Sequence, residues 1–141
     1  YVDNSTDANG THGGEGVFSK ITGAIVGYCG GGSAGSFDAA RNRGTNTETG
    51  QGAAGNGQSS GTGQHGTAGA ANRGGGSEGT NGGVSGNTLS GGSGVVILRI
   101  DSARSATFSG GVTSSVNTSV SGYKIYSVTA TSSTNETVTF S

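Results

Sequence analysis

Gly91-Gly92-Ser93-Gly94-Val95-Val96-Ile97-Leu98-Arg99-Ile100 decides how this chain is read. Val95 to Ile100 is the strongest apolar run in the sequence, rich in β-branched residues and bounded by glycine and by Asp101. A short apolar run with such bounds reads as a strand buried on both faces, or nearly so. Val95, Ile97 and Ile100 are therefore the expected core, with Ile97→Ala costing roughly 2–5 kcal/mol if well packed. Before the run lies a block dominated by glycine and polar side chains. After it the chain alternates like a β-domain.

Upstream, residues 30–94 form the low-complexity block. Glycine is 32 of 141 residues, roughly three times its usual share. Each glycine in a helix interior costs about 1 kcal/mol relative to alanine, so the block excludes helix. Several glycines fall three apart: Gly52 and Gly55; Gly63, Gly66 and Gly69; Gly76, Gly79 and Gly82. A period of three suits polyproline-II-type helices packed side by side at backbone distance. The competing reading is a set of long loops whose glycines land three apart by density alone. Phe37 is the one aromatic in the block and the expected anchor of a loop.

Further upstream, Val17, Ser19, Ile21, Gly23 and Ile25 alternate with Phe18, Lys20, Thr22, Ala24 and Val26. That predicts a strand over 17–28, with Gly23 and Gly27 marking bulges or a close backbone approach. Asp3, Asp7, Asn9 and Gly10 supply oxygen ligands in a loop, but their spacing and the missing downstream glutamate do not fit a calcium-binding loop.

Downstream, Tyr123, Ile125 and Ser127 face one way, and Lys124, Tyr126, Val128 and Ala130 the other. Val138 and Phe140 alternate with Thr137, Thr139 and Ser141. Gly110-Gly111 and Ser121-Gly122 supply turn chemistry. The predicted fold is all-β: a small β-sandwich or barrel-like sheet with a long glycine-rich loop block, polyglycine-II-like if the threefold reading holds. Residues 1–94 are the glycine-rich region with one strand segment near 17–28. Residues 95–141 are the β-rich segment, and the two are expected to form one structural unit.

Composition bounds the chemistry. Hydrophobic residues are 28% and charged residues 11%, with a net charge of −1. So small a core is a thin source of stability, and assembly with copies of itself is the expected remedy. No stretch approaches the ~20 apolar residues of a membrane helix, so membrane insertion is not expected. The basic residues are scattered, which gives no footprint for nucleic acid. The chain has no methionine, and Tyr1 is expected to be a cleavage product or the edge of a fragment. Cys29 is alone and follows Ile25, Val26 and Tyr28, so a buried, inert thiol is expected. His12 and His65 sit among glycines, and no nucleophile–base set, metal-spaced cluster or phosphate loop is legible. No enzyme and no cofactor is expected. Arg41, Arg43 and Arg73 read as partners of solvent or loop carbonyls. Asn4, Asn9, Asn117 and Asn135 match the N-glycosylation pattern, which matters only if the source glycosylates secreted proteins.

With Gly91–Ile100 the chain resembles the end of the glycine-rich domain repeated in bacteriophage tail-fibre and related virion proteins. That family closes a glycine block with a Gly-Gly-Ser-Gly-Val-Val-Ile strand. Gly122-Tyr123-Lys124-Ile125-Tyr126 and Val138-Thr139-Phe140 match the opening of its next domain. Gly16-Val17-Phe18-Ser19-Lys20-Ile21-Thr22, leading to Gly30-Gly31-Gly32, resembles its mid-domain strand and first glycine cluster. The family's early strand has no counterpart in the chain, and the following domain is cut short, so the segment is out of phase with the repeat. The resemblance implies a structural or host-recognition role at a virion surface, or extracellularly, with host glycan or protein as partner.

The expected assembly is a homo-oligomer, head-to-tail fibre or trimer. In the fibre, the C-terminal strands complete a neighbour's sheet, with Tyr123, Tyr126, Val128, Val138 and Phe140 as contacts. Folding of those strands back onto Val95–Ile100 in their own chain is the alternative. A secreted extracellular fibril of a cellular organism, glycosylated at the four sequons, is the second reading. An ice-binding protein of polyglycine helices is the third, disfavoured because Arg41, Arg43, Glu48, Arg73 and Glu78 break the triplet runs.

Overall fold

The computed structural model describes residues 13–32, 67–77 and 89–141. The protein is all-β there, with seven strands and no helix among the described residues, and its sheets are open rather than closed into a barrel. Asp3, Asp7, Asn9, Phe37, Arg41, Arg43, Asn4 and the two histidines lie outside the described residues. The chain divides into two compact units. One is the β unit, residues 19–26 and 94–141; the other, residues 1–18 and 27–93, carries the glycine-rich segments.

In the β unit, β3 (Val96–Asp101), β5 (Val112–Asn117) and β6 (Tyr123–Thr131) form an antiparallel sheet in the order β3-β6-β5. Val96 lies opposite Val128, and the register runs to Asp101 opposite Tyr123. On the other side of β6, Val112 meets Thr131 and Asn117 meets Ile125. The register slips between Thr113 and Ser114, which leaves Thr129 without a direct partner. This bulge resets the alternation, so Thr131 rather than Ala130 shares a face with Val128. Gly122, at φ 79°, makes the β5–β6 turn, closed by the Tyr123 N–H to the Val120 carbonyl at 3.1 Å.

A second pair, β4 (Ala106–Phe108) and β7 (Val138–Phe140), is also antiparallel, with Ala106 opposite Phe140 and Phe108 opposite Val138. Ser105 and Ser141 extend it by exchanging backbone bonds of 2.9 and 3.0 Å.

These pairings correct two expectations. The Val95–Ile100 run is an edge strand, not a strand buried on both faces. Val96 is 58% exposed, and Ile97 and Ile100 are only half-buried. The centre belongs to β6, and Ile125, 2% exposed, is its deepest side chain. An apolar run cannot report its place in a sheet, because that depends on which strands find it. The C-terminal strands are likewise not left open for a neighbour: β6 pairs with β3 and β5, and β7 with β4, all within one chain.

The predicted strand over 17–28 is instead two short strands, β1 (Val17–Ser19) and β2 (Val26–Tyr28), joined in a two-stranded sheet. Gly23 turns the chain at φ 94°, its N–H donating to the Lys20 carbonyl at 2.9 Å. A Cβ there would also stand 2.6 Å from Cγ2 of Val120, so the close approach expected at Gly23 is to a side chain.

The glycine-rich unit is held differently. Segments 13–14, 30–32, 67–77 and 89–93 carry no strand, yet hydrogen-bond to one another through the backbone. The Gly31 N–H donates to Gly14 at 2.9 Å, Gly76 to Gly30 at 2.8 Å, Gly92 to Gly75 at 2.7 Å and Gly74 to Ser93 at 2.9 Å. The spacing leaves no room for side chains. A Cβ on Gly31 would sit 2.8 Å from the Gly14 nitrogen, and one on Gly76 2.7 Å from the Gly32 nitrogen. At Gly13 and Gly92 it would run into the carbonyls of Gly31 and Ala70. Of the glycines three apart, Gly69 and Gly76 take part in this packing, and Gly52, Gly55, Gly63, Gly66, Gly79 and Gly82 lie outside the described residues.

Candidate functional site

The chemistry-bearing side chains of the β unit gather where its two sheets face each other. Alternation on β3 and β6 puts Val96, Leu98, Tyr126 and Val128 on one face. There Val96, Leu98 and Val128 join Val112, Phe108 and Val138 around an open apolar cleft of about 170 Å³. Phe108 meets Tyr126 edge-on, with ring centroids 5.7 Å apart and 62° between the planes. The Tyr126 hydroxyl accepts the Ala106 N–H at 3.3 Å, so a ring of the larger sheet ties down the smaller one. Lys124 reaches the same side. Its Nζ donates to the Arg104 carbonyl at 2.9 Å and the Ser105 hydroxyl at 3.0 Å, which gives the charge polar partners.

Thr131, Glu136 and Thr137 complete the lining. Glu136 accepts from the hydroxyls of Ser109, of Ser132 at 2.9 Å and of Ser133 at 3.1 Å. These bonds, Ser109's foremost, hold its carboxyl below the ordinary carboxylate range. Gly111 makes room, since a Cβ there would collide with Glu136 and Ser132. Ser109 also accepts the Thr137 N–H at 2.9 Å, so the carboxylate clamps the β4 end to the start of β7. A carboxylate so fully supplied with donors is a structural acceptor.

The opposite face of the large sheet carries Ile125, Tyr123 and Arg99. The Arg99 guanidinium lies 3.9 Å from the centroid of the Tyr123 ring and donates to the Lys20 carbonyl at 3.4 Å. In the glycine-rich unit Arg73 donates to the Gly27 carbonyl at 3.2 Å and lies over Tyr28 at 5.8 Å, a loop-carbonyl contact of the kind expected. Cys29 departs from expectation: its thiol is free and exposed. The residue sits at φ 60° with its N–H bonded to the Arg73 carbonyl at 2.8 Å, a backbone position that the alternation of Ile25, Val26 and Tyr28 does not extend to.

Of the proposed assembly contacts, Val128 and Val138 line one cleft, and Tyr126 packs edge-on against its Phe108. Tyr123 lies on the other face of the sheet. Phe140 shares its strand face with Val138 and is 54% exposed. Asn117 and Asn135 are both exposed; Asn117 Oδ1 accepts the Ser119 N–H at 2.8 Å and Asn135 Oδ1 the Ser133 hydroxyl at 2.6 Å. Val96, Leu98, Phe108 and Val112 are cleft residues that sequence reasoning did not single out as contacts. The alternation of Val96 and Leu98 with Ile97 and Arg99 was the available signal. Glu136 was also missed, and Ser109, far from it in sequence, offers no spacing by which to find it. Among the described residues, no three His, Cys, Asp or Glu side chains gather into a metal-holding group. Comparison with models of known families, with curated proteins and with solved structures gives no match.

Proposed function

We propose that the chain is a non-enzymatic virion structural protein, a tail-fibre or adhesin module that assembles with copies of itself and contacts a host surface. The observation that carries this reading is the imbalance of apolar surface. Ala106 and Ile125 are the buried apolar side chains among the described residues, whereas Val17, Phe18, Ile25, Val96, Val116, Val138 and Phe140 stand exposed. Surface of that kind is burial still to be made, and the cheapest partner for a repeated module is another copy. The resemblance of Gly91–Ile100 and Gly122–Tyr126 to virion glycine-rich domains supports the location. Sedimentation at micromolar concentration tests it: oligomers are expected, and a protein that stays monomeric counts against assembly.

A secreted fibril subunit of a cellular organism is the second reading, favoured by the exposure of Asn117 and Asn135. Intact mass before and after deglycosylation separates the two. Sugar mass on either asparagine supports the cellular fibril.

A further inference from the structure

We propose that two copies of this chain join β3 to β3, antiparallel, about a two-fold axis at Leu98. The inference rests on the self-assembly reading above and names its surface.

The sheet order leaves two edges, β3 and β5, and they differ in kind. β5 exposes Thr113, Ser114, Ser115 and Asn117 beside a register slip. Polar side chains and bulges are how natural sheets keep an edge from pairing. β3 has no bulge, and its polar side chains are two, Arg99 and Asp101. Its register against β6 is unbroken from Val96 to Asp101, and no described strand pairs with its outer side. Both of its charges are engaged within their own chain. Arg99 lies over Tyr123 and donates to Lys20, and Asp101 Oδ1 accepts the Ala103 N–H at 2.8 Å.

The strand is also complementary to itself, and its charges narrow the register. Two copies related by a two-fold axis perpendicular to the sheet keep their faces, so residues opposite one another share a face. Pairing centred on Arg99 would set two guanidinium groups opposite each other. Pairing centred on Ile100 would run off the end of the strand, because the chain turns after Asp101. Pairing centred on Leu98 uses the whole strand and sets no like charges opposite. Val96 then meets the partner's Ile100, Leu98 meets the partner's Leu98, and Ile97 meets the partner's Arg99. The apolar row that lines the cleft through Val96 and Leu98 continues into the second copy, covering Val96, which is 58% exposed in the single chain. A net charge of −1 per chain opposes the approach only weakly. The contact is isologous and closes as a dimer, so a longer fibre needs a second interface.

The test uses the full chain with Cys29→Ser, which removes the exposed thiol. Adding Leu98→Cys places one cysteine opposite its own copy, at the separation of directly opposed strand residues. Mild oxidation is expected to convert this variant to covalent dimer. Adding Val96→Cys instead gives none, because its opposite number is Ile100, and Val96→Cys with Ile100→Cys restores the cross-link. Separately, Val96→Lys puts a guard charge on an exposed position and is expected to shift the sedimentation peak from dimer to monomer with an unchanged far-UV CD spectrum. If the parent protein sediments as an oligomer but Leu98→Cys cross-links no better than Val96→Cys, the β3 interface is wrong and the assembly reading stands. A parent protein that is monomeric removes both.

Discussion

Replacing Gly76 by alanine tests whether the glycine-rich unit is held by backbone contact. The new Cβ would sit 2.7 Å from the Gly32 nitrogen and must part from it by about 0.7 Å to reach the 3.4 Å of ordinary contact. The obstacle is main chain, which cannot rotate away as a side chain does. Forced expansion of a packed region costs about 1–3 kcal/mol. Alanine also restricts the unfolded chain, which returns about 0.4–1 kcal/mol. The expected net loss is therefore about 1–2 kcal/mol, a factor of about 5–30 in the opening equilibrium. Amide hydrogen exchange reads this directly: the N–H of Gly92, bonded to Gly75, and that of Gly31, bonded to Gly14, should exchange faster by that factor. Gly14→Ala is the control. A Cβ there meets nothing within 4 Å and the residue has no positive φ, so only the gain in the unfolded state remains. Exchange should then slow by a few fold. If Gly76→Ala exchanges no faster than the parent, the close backbone packing is not what holds the unit.

Ile125→Ala should cost about 2–5 kcal/mol by urea unfolding of the β unit, and more than Ile97→Ala on the half-buried edge strand; the reverse order would place the core elsewhere. Glu136 has its folded pKa held down, so its contribution is present above the unfolded pKa and is lost as pH falls through the lowered folded value. Acid melts should show the parent losing stability in and below the ordinary carboxylate range, with Glu136→Gln flat over the same window. Tyr126→Phe should lose about 0.5–1.5 kcal/mol, because the Ala106 N–H gives up its acceptor. An unchanged melting temperature would mean that water replaces the hydroxyl without loss.

The β-face assignments were legible where the pattern is local. Tyr123, Ile125 and Ser127 against Lys124, Tyr126 and Val128 follow from a period of two, and they hold until the bulge at Thr129. The ranking of strands was not legible. Val95–Ile100 is more apolar than β6, but β6 lies between two strands and β3 beside one, because β6 pairs with β5 across the Gly122 turn and with β3 from far away in sequence. The glycine contacts were legible in kind and not in membership. Glycine density allowed close packing, while the segments that meet, Gly30–Gly32 with Gly76 and Gly75 with Gly92, are distant in sequence and alike in composition. The Glu136 clamp was invisible because its main donor, Ser109, is one serine among many.

Packing by main chain has a thermal consequence. Unfolding an ordinary domain exposes mostly apolar surface, which raises the heat capacity by about 0.45 cal/K/mol per Å², whereas exposing polar surface lowers it by about 0.26. The segments around Gly14, Gly31, Gly76 and Gly92 bury peptide groups against peptide groups, so their unfolding releases amide surface and little hydrocarbon. The contribution of these segments to the heat-capacity step is accordingly small for their length, and their share of the unfolding free energy varies gently with temperature. Cooling weakens hydrophobic cores but leaves contacts of this kind nearly as strong as before, so the described glycine segments are packed in a way that keeps its strength in the cold.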